Sequence, residues 1–160
     1  MFKNILLAAD GSAASTHAAK LALDLAHAHG AKLTAVYVVD PYPYLSVGQV
    51  NPLAFQAYMA AAYQHAAQVH SEIAALGAQS QPPVTVQLRR MQDMHASDGI
   101  LQTAADEGAD LIVMGSHGRT GISRLMLGSI TAKVVARATV PVLLARAEAD
   151  EAAQAKAADR

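Results

Sequence analysis

The segment from Gly115 to Ser129 carries three glycines in the spacing Gly115-x2-Gly118-x9-Gly128-Ser129 and runs straight into a helical pattern. Glycines let backbone amides turn toward an anion with no Cβ in the way, and a helix N-terminus adds unpaired N–H groups and partial positive charge. Such a loop is suited to cradle phosphate; the plainer alternative for the same glycines is turn chemistry. A second loop, Asp10-Gly11-Ser12, closes the apolar run 2–9 (FKNILLAA) and sets a carboxylate before a helix. There Asp10 either caps the helix or faces a ligand. Ser129 has the same double reading, as an N-cap or as a hydroxyl for phosphate, and the two uses share one geometry.

Spacing narrows the anion chemistry. A Walker A loop needs GxxxxGK[ST], and no lysine stands beside Gly128-Ser129; the nearest is Lys133, a turn into the helix. The GxGxxG dinucleotide fingerprint is missing after the first strand, where the chain reads Ala8-Ala9-Asp10-Gly11-Ser12-Ala13, which argues against a Rossmann dehydrogenase. His117 invites a general-base role, but no carboxylate lies close in sequence to orient it, and it is read as structural or surface. Arg119 and Arg124 are open to phosphate pairing or to plain solvation. The other histidines, at 17, 27, 29, 65, 70 and 95, form no ligand spacing, so no metal site built from them is expected. Cysteine is absent, which removes disulfides, thiolate metal sites and a cysteine nucleophile.

Periodicity supplies the elements that must position these loops. Residues 2–9 read as a strand. Ala14, Ala18, Leu21, Ala22 and Leu25 recur at helical spacing up to Gly30, and Lys32–Val39 (KLTAVYVV) is a β-branched strand apolar on both faces. Asp40-Pro41 stops it. Residues 40–55 hold three of the six prolines and are expected to be a loop. Tyr58, Ala62, Ala66, Val69, Ile73 and Leu76 then mark a helix whose stripe is read as core. Strand Val84–Arg90, helix Ser97–Glu107, strand Asp110–Met114, a helix from Ser129 to about Ala138 and an apolar run Val140–Ala145 complete the chain. Pro141 places that last strand at an edge or makes Pro141 its start. Strands alternating with helices predict an open α/β parallel sheet with helices on both faces. In such a sheet ligands bind beyond the carboxyl ends of the strands, where strand order reverses.

The chain of 160 residues, 52% apolar and 16% charged, is expected to be a single domain over 1–146 with a flexible tail at 147–160. It holds 36 alanines and only 4% aromatics, which calls for helices packed closely on a sheet. A net charge of -1 gives no footprint for nucleic acid or an anionic membrane. No apolar run nears the roughly 20 residues of a membrane span, and Ile5–Ala9 is too short for a signal peptide, so a cytoplasmic protein is expected.

The sequence resembles the universal stress proteins, of the type in which the motif G-x2-G-x9-G-[S/T] accompanies ATP binding. The motif is complete at Gly115, Gly118, Gly128 and Ser129; the flanks LIVMGSHGRTGISRLMLGSITAKVVARATVPVLL and the opening KNILLAADGS are similar to the family, and the resemblance covers 2–146. It implies a five-stranded parallel sheet in the order 3-2-1-4-5, Rossmann-like and akin to the adenine nucleotide alpha hydrolases, with strands 1 and 4 adjacent. It further implies ATP as ligand, with Mg²⁺ a possible companion. Asp10 would meet the ribose or the phosphate–metal region, and the backbone at Val38, or at its neighbour Val39, the adenine edge. Met114 and Gly115 would border the sugar, Gly118 and the 119–127 loop, Arg119 included, would close over the phosphates, and Gly128, Ser129 and Ile130 would contact them. Ala8 and Ala9 lie beside Asp10 and have no hydroxyl to contribute.

The function so implied is an ATP-binding regulatory module of the stress response. The alternative is a slow ATPase or phosphotransferase of the same fold, since fast transfer needs a placed base and dense positive charge. A flavodoxin-like carrier would want an anion loop after strand 1 and aromatics for a flavin, and Asp10 with so few aromatics argues against it. The uncharged run Val140–Leu144 at the sheet edge predicts a homodimer through the last strand, as the family commonly forms.

Overall fold

The structure, a computed structural model, describes residues 1–48, 51–118 and 127–146. Strands β1 (Asn4–Ala8), β2 (Lys32–Val39), β3 (Val86–Gln92), β4 (Leu111–Gly115) and β5 (Val142–Ala145) alternate with helices α1 (Ala13–His29), α2 (Tyr42–Leu45), α3 (Pro52–Gln79), α4 (Ala96–Asp106) and α5 (Ser129–Arg137). The five strands form one parallel sheet in the order β3-β2-β1-β4-β5. Strand order therefore reverses between β1 and β4.

Both sheet faces are buried because the central strands are apolar on both faces, with Asn4 and Lys32 at their starts and Thr34 inside β2 as the polar positions. Ile5 and Leu7 of β1, with Leu33, Ala35 and Val113, pack under α1 and α3, against Ala18, Ala22, Val69 and Ile73. Leu6 and Ala8, with Val36, Ile112 and Met114, face the other way onto Ile100 and Ala104 of α4 and Val134 of α5. The alanines of α1 let it lie close to the sheet: a Cβ built on Gly115 at the end of β4 would stand 2.9 Å from Ala14 Cβ.

Most element ends move by one or two residues from those the sequence predicts, as at β3, which starts at Val86 and runs on to Gln92, while α3 runs three residues past Leu76 to Gln79. The larger correction concerns 40–55. Rather than a loop, it contains the single turn α2 and the start of α3. Asn51 caps α3 by accepting from the Leu53 and Ala54 amides, at 3.0 and 3.4 Å, and Pro52 takes the first helical position, where its missing N–H costs nothing. Prolines that read as loop markers here open helices. Among the described residues no helix is long and apolar enough to cross a membrane.

Candidate functional site

A cavity of about 380 Å³ opens beyond the carboxyl ends of β1, β2 and β4, between the loops after β1 and β4. Its wall includes Ala8, Ala9, Asp10, Val38, Met114, Gly115, Gly118, Gly128, Ser129 and Ile130, all singled out from the sequence. Arg119, Arg124 and the tail 147–160 lie outside the described residues. His117, read from sequence as structural or surface, is also in the wall, with its Nδ1 3.0 Å from Ser116 Oγ. Among the described residues no lysine or arginine lines the cavity.

One end of the cavity is backbone. Ser12, not Asp10, caps α1, its hydroxyl accepting from the Ser15 amide at 3.2 Å. Asp10 folds back instead: Oδ1 accepts from Ser12 N–H at 2.9 Å, while Oδ2 lies 3.0 Å from where a Cβ on Gly118 would stand. The turn is held from α3, where His65 Nε2 is 3.0 Å from the Asp10 carbonyl. Gly11, at φ 80, leaves no room for a side chain, since a Cβ would come within 2.9 Å of the same imidazole nitrogen. Across the cavity Gly128 caps α5 and Ser129 is its first residue, so of the two readings of Ser129 the cap falls to the glycine before it. Gly128 N–H donates to Ser116 O at 2.9 Å, joining the two arms of the motif. Ser129 and Ile130 N–H sit in the first turn, where a helix offers them no acceptor of its own.

Gly128 has φ -60 and ψ 150, angles open to any residue, and a Cβ there would make only ordinary contacts of 3.4–3.6 Å with residues 116–118. Neither the backbone nor packing among the described residues demands glycine at this position. What it keeps open is the gap between the arms.

The other end is walled by apolar side chains. Val36 O accepts from Ala9 N–H at 3.0 Å, and the β1–β2 register ends at Ala8↔Val36. In a parallel ladder alternate residues turn both backbone groups to the same neighbour. Val38 therefore directs its N–H and C=O to the β1 side, beyond the end of β1, and among the described residues no backbone bond continues the ladder to it. Val39 pairs toward β3 opposite Gln92, which separates the two positions the sequence left open.

Sequence reasoning missed Asp40, Pro43, Tyr58, Ala62, Ala96 and Ile100, which complete this end. Tyr58 and Ala62 belong to the stripe read as core. Ala66, Val69 and Ile73 are buried as expected, but α3 outruns the sheet, and the same face meets the cavity one turn earlier. No signal in a single helical period distinguishes the two.

A profile of the universal stress protein family matches residues 1–146. A universal stress protein of Thermus aquaticus, encoded in the 3' region of a sulfhydrylase gene, is 41% identical over 148 residues, covering 91% of this chain and 100% of the relative. The solved structure of the universal stress protein UspA from Lactobacillus plantarum superposes with a TM-score of 0.77 at 28% identity, over 90% of this chain and 97% of that one. Another universal stress protein, solved in complex with cAMP, shares the fold at a TM-score of 0.63 and 23% identity, over 92% and 98% of the two chains. The strand order, the reversal point between β1 and β4 and these likenesses agree, and the chain belongs to the universal stress protein family.

Proposed function

We propose that the chain binds an adenine nucleotide, ATP with or without Mg²⁺, between β1 and β4, and acts as a regulatory module rather than a fast enzyme. The observation that carries this reading is the division of one cavity into two chemistries. Val38 offers a donor and an acceptor side by side among apolar walls, which suits the N1 and 6-amino edge of adenine. The amides at the start of α5, across the gap that Gly128 keeps open, suit phosphates. Asp10, Met114 and Gly115 lie between them, where a ribose would be. The cAMP-bound relative supports an adenine ligand for this fold.

With no Walker lysine, backbone amides dominate, and a Kd in the micromolar range is expected, about -7 to -8 kcal/mol. The absence of lysine and arginine from the described wall argues against rapid phosphoryl transfer, which depends on positive charge over the moving phosphoryl group. Mass spectrometry of the nucleotide released on denaturation, with calorimetry of ATP binding, tests the reading; a folded protein that takes up no adenine nucleotide overturns it. Turnover of several per second in a sample free of contaminating ATPase, lost in His117→Ala, would replace it with the enzyme reading.

Residues 1–146 are the unit that carries this function, in the cytoplasm, and it works as a homodimer through β5. Among the described residues β5 pairs only with β4, and Ile112 N–H donates to Pro141 O, so alternation leaves the N–H and C=O of Val142 and Leu144 on the open edge. The side chains of Val142 and Leu144 pack into the protein's own core, whereas Leu143 is 38% exposed. Leu143→Lys is therefore the substitution that spares the fold. Sedimentation is expected to give a dimer for the native chain and a monomer that still binds ATP for the variant; a native monomer at micromolar concentration overturns the interface.

A further inference from the structure

The apolar end of the cavity is tied together by one side chain that neither the glycine motif nor the strand pattern brings forward. Asp40 follows β2. Its Oδ1 accepts from Tyr42 N–H and its Oδ2 from Ala96 N–H, each at 2.9 Å, and its main-chain carbonyl accepts from the Tyr58 hydroxyl at 3.2 Å. Three helices, α2, α3 and α4, thus meet on a single residue at the end of the strand that carries Val38. For α4 the contact replaces a missing part: its N-cap, His95, makes no side-chain capping bond, so Asp40 supplies from another element the acceptor that a local Ser or Asp would give. His95 stacks on Tyr42 with ring centroids 4.2 Å apart, and its Nδ1 is 3.7 Å from Asp40 Oδ2, which draws the α2 and α4 sides of the mouth together. The Asp40 side chain is only 16% exposed, and its bond from Ala96 N–H and that from the Tyr58 hydroxyl are partly buried, while the one from Tyr42 N–H is exposed.

Resting on the adenine reading, we infer that Asp40 is the positioning residue of the base subsite and sets its preference for adenine over guanine. A neighbouring N–H and C=O, as at Val38, pair with N1 and the 6-amino group of adenine; guanine carries N1–H and O6 at those positions and matches the strand only if the base slides in its plane until N–H reaches O6 and C=O reaches N1–H. The strand therefore rejects guanine only while the base is kept from sliding. What prevents that slide, and denies room to the 2-amino group of guanine, is the cavity wall, to which Pro43 on α2 and Ala96 and Ile100 on α4 contribute. These are the elements that Asp40 fastens. Discrimination of this kind rests on walls that do not give way, and a polar group forced into them without a partner is rejected.

Asp40→Asn preserves size but leaves one acceptor oxygen where two were in use, so either Tyr42 N–H or Ala96 N–H loses its partner. Calorimetric titration of the full chain with ATP, GTP and tripolyphosphate reads the consequence. The variant is expected to bind ATP about 5–20-fold more weakly and to lose its ATP-over-GTP preference by a similar factor, while tripolyphosphate binds as before. Tyr58→Phe, which removes only the bond to the Asp40 carbonyl, shifts the same ratio in the same direction by a smaller factor. An ATP-to-GTP ratio unchanged in Asp40→Asn overturns the inference, and so does an equal loss for ATP and tripolyphosphate, which would make Asp40 a support of the whole fold. Native protein that binds neither nucleotide overturns the adenine reading itself, a result distinct from either of these.

Discussion

At the amino ends of the strands the Asp110 carboxylate accepts from Lys3 N–H at 2.7 Å and Asn4 N–H at 3.1 Å, Asn4 Nδ2 donates to Gly108 O, and Glu107 pairs with Lys32 and Arg89. At the carboxyl ends the Val38 pair stands past the end of β1, the first amides of α5 face a gap, and Gly128 is glycine without a conformational reason. One end stitches its polar groups to each other across three strands. The other holds such groups in place, through Asp10 and Asp40, and points them at space. The comparison divides the molecule into a part whose substitutions are felt as stability and a part whose substitutions are felt as binding.

The sharpest way to break that division is Gly128→Val. Because a Cβ at the backbone angles of Gly128 meets the described residues only at ordinary distances, the variant is expected to fold and to lose about 1 kcal/mol or less, the cost of valine at the cap of α5. Nucleotide binding should fall at least ~100-fold, below calorimetric detection, as the side chain occupies the gap between the arms. Normal ATP affinity in folded Gly128→Val would remove the phosphate end from this position. Gly115→Val, in the same motif, belongs with the opposite class: its new side chain would strike Ala14 and the Ser15 amide at about 3 Å, and overpacking of that kind costs about 1–3 kcal/mol or more. Urea denaturation should show that loss, and a Gly115→Val protein of native stability would mean that α1 sits further from β4.

A smaller effect is expected from Asp110→Ala, which leaves the Lys3 and Asn4 amides without their acceptor at the start of β1. Both amides lie near the surface, so water replaces part of what is lost and the cost is about 1 kcal/mol, measured by denaturation, with ATP affinity unchanged. A variant of unaltered stability but weakened binding would reverse the assignment of the two ends.

The carboxyl end was the more legible of the two in the sequence, for a physical reason. Glycines and an aspartate after apolar runs are unusual at short range, so Asp10 and the Gly115–Ser129 segment stand out in any reading, and strand order follows from the family that carries them. Asp40 and Tyr58 do not stand out. Asp40 lies before a proline and reads as a strand stop, while its partners at Ala96 and Tyr58 are 56 and 18 residues away. The one hint was that α4 begins after His95 with no residue of its own suited to cap it. Glu107 and Asp110 were equally hidden, because ends of strands meet only once the sheet is assembled. Helix α3 shows the same limit from the other side, since its period identifies a face but not where the sheet beneath that face ends.

The least effect is expected from Glu107→Gln, and its pH dependence completes the comparison. Hydrogen bonds from Lys32 and then Arg89 hold the Glu107 carboxyl below its ordinary value of 4.5, with partial desolvation opposing them. A carboxyl whose folded pKa lies below its unfolded one contributes its full stability above the unfolded value and loses it as pH falls through the folded value. For Asp110 desolvation acts to raise the pKa and the amide bonds from Lys3 and Asn4 outweigh it, so its contribution likewise fades below 3.8. The partners of Glu107 are 40% and 54% exposed, and solvent screening holds the pair interaction to about 0.5 kcal/mol at pH 7. Denaturation of Glu107→Gln is therefore expected to differ from the parent by about that amount at pH 7, and the difference should shrink as pH falls below 4.5 and Glu107 takes up its proton. Its ATP affinity at pH 7 should equal that of the parent. A Glu107→Gln protein that binds ATP tenfold more weakly would show that the amino end, through α4 and Ala96, reaches the base subsite after all.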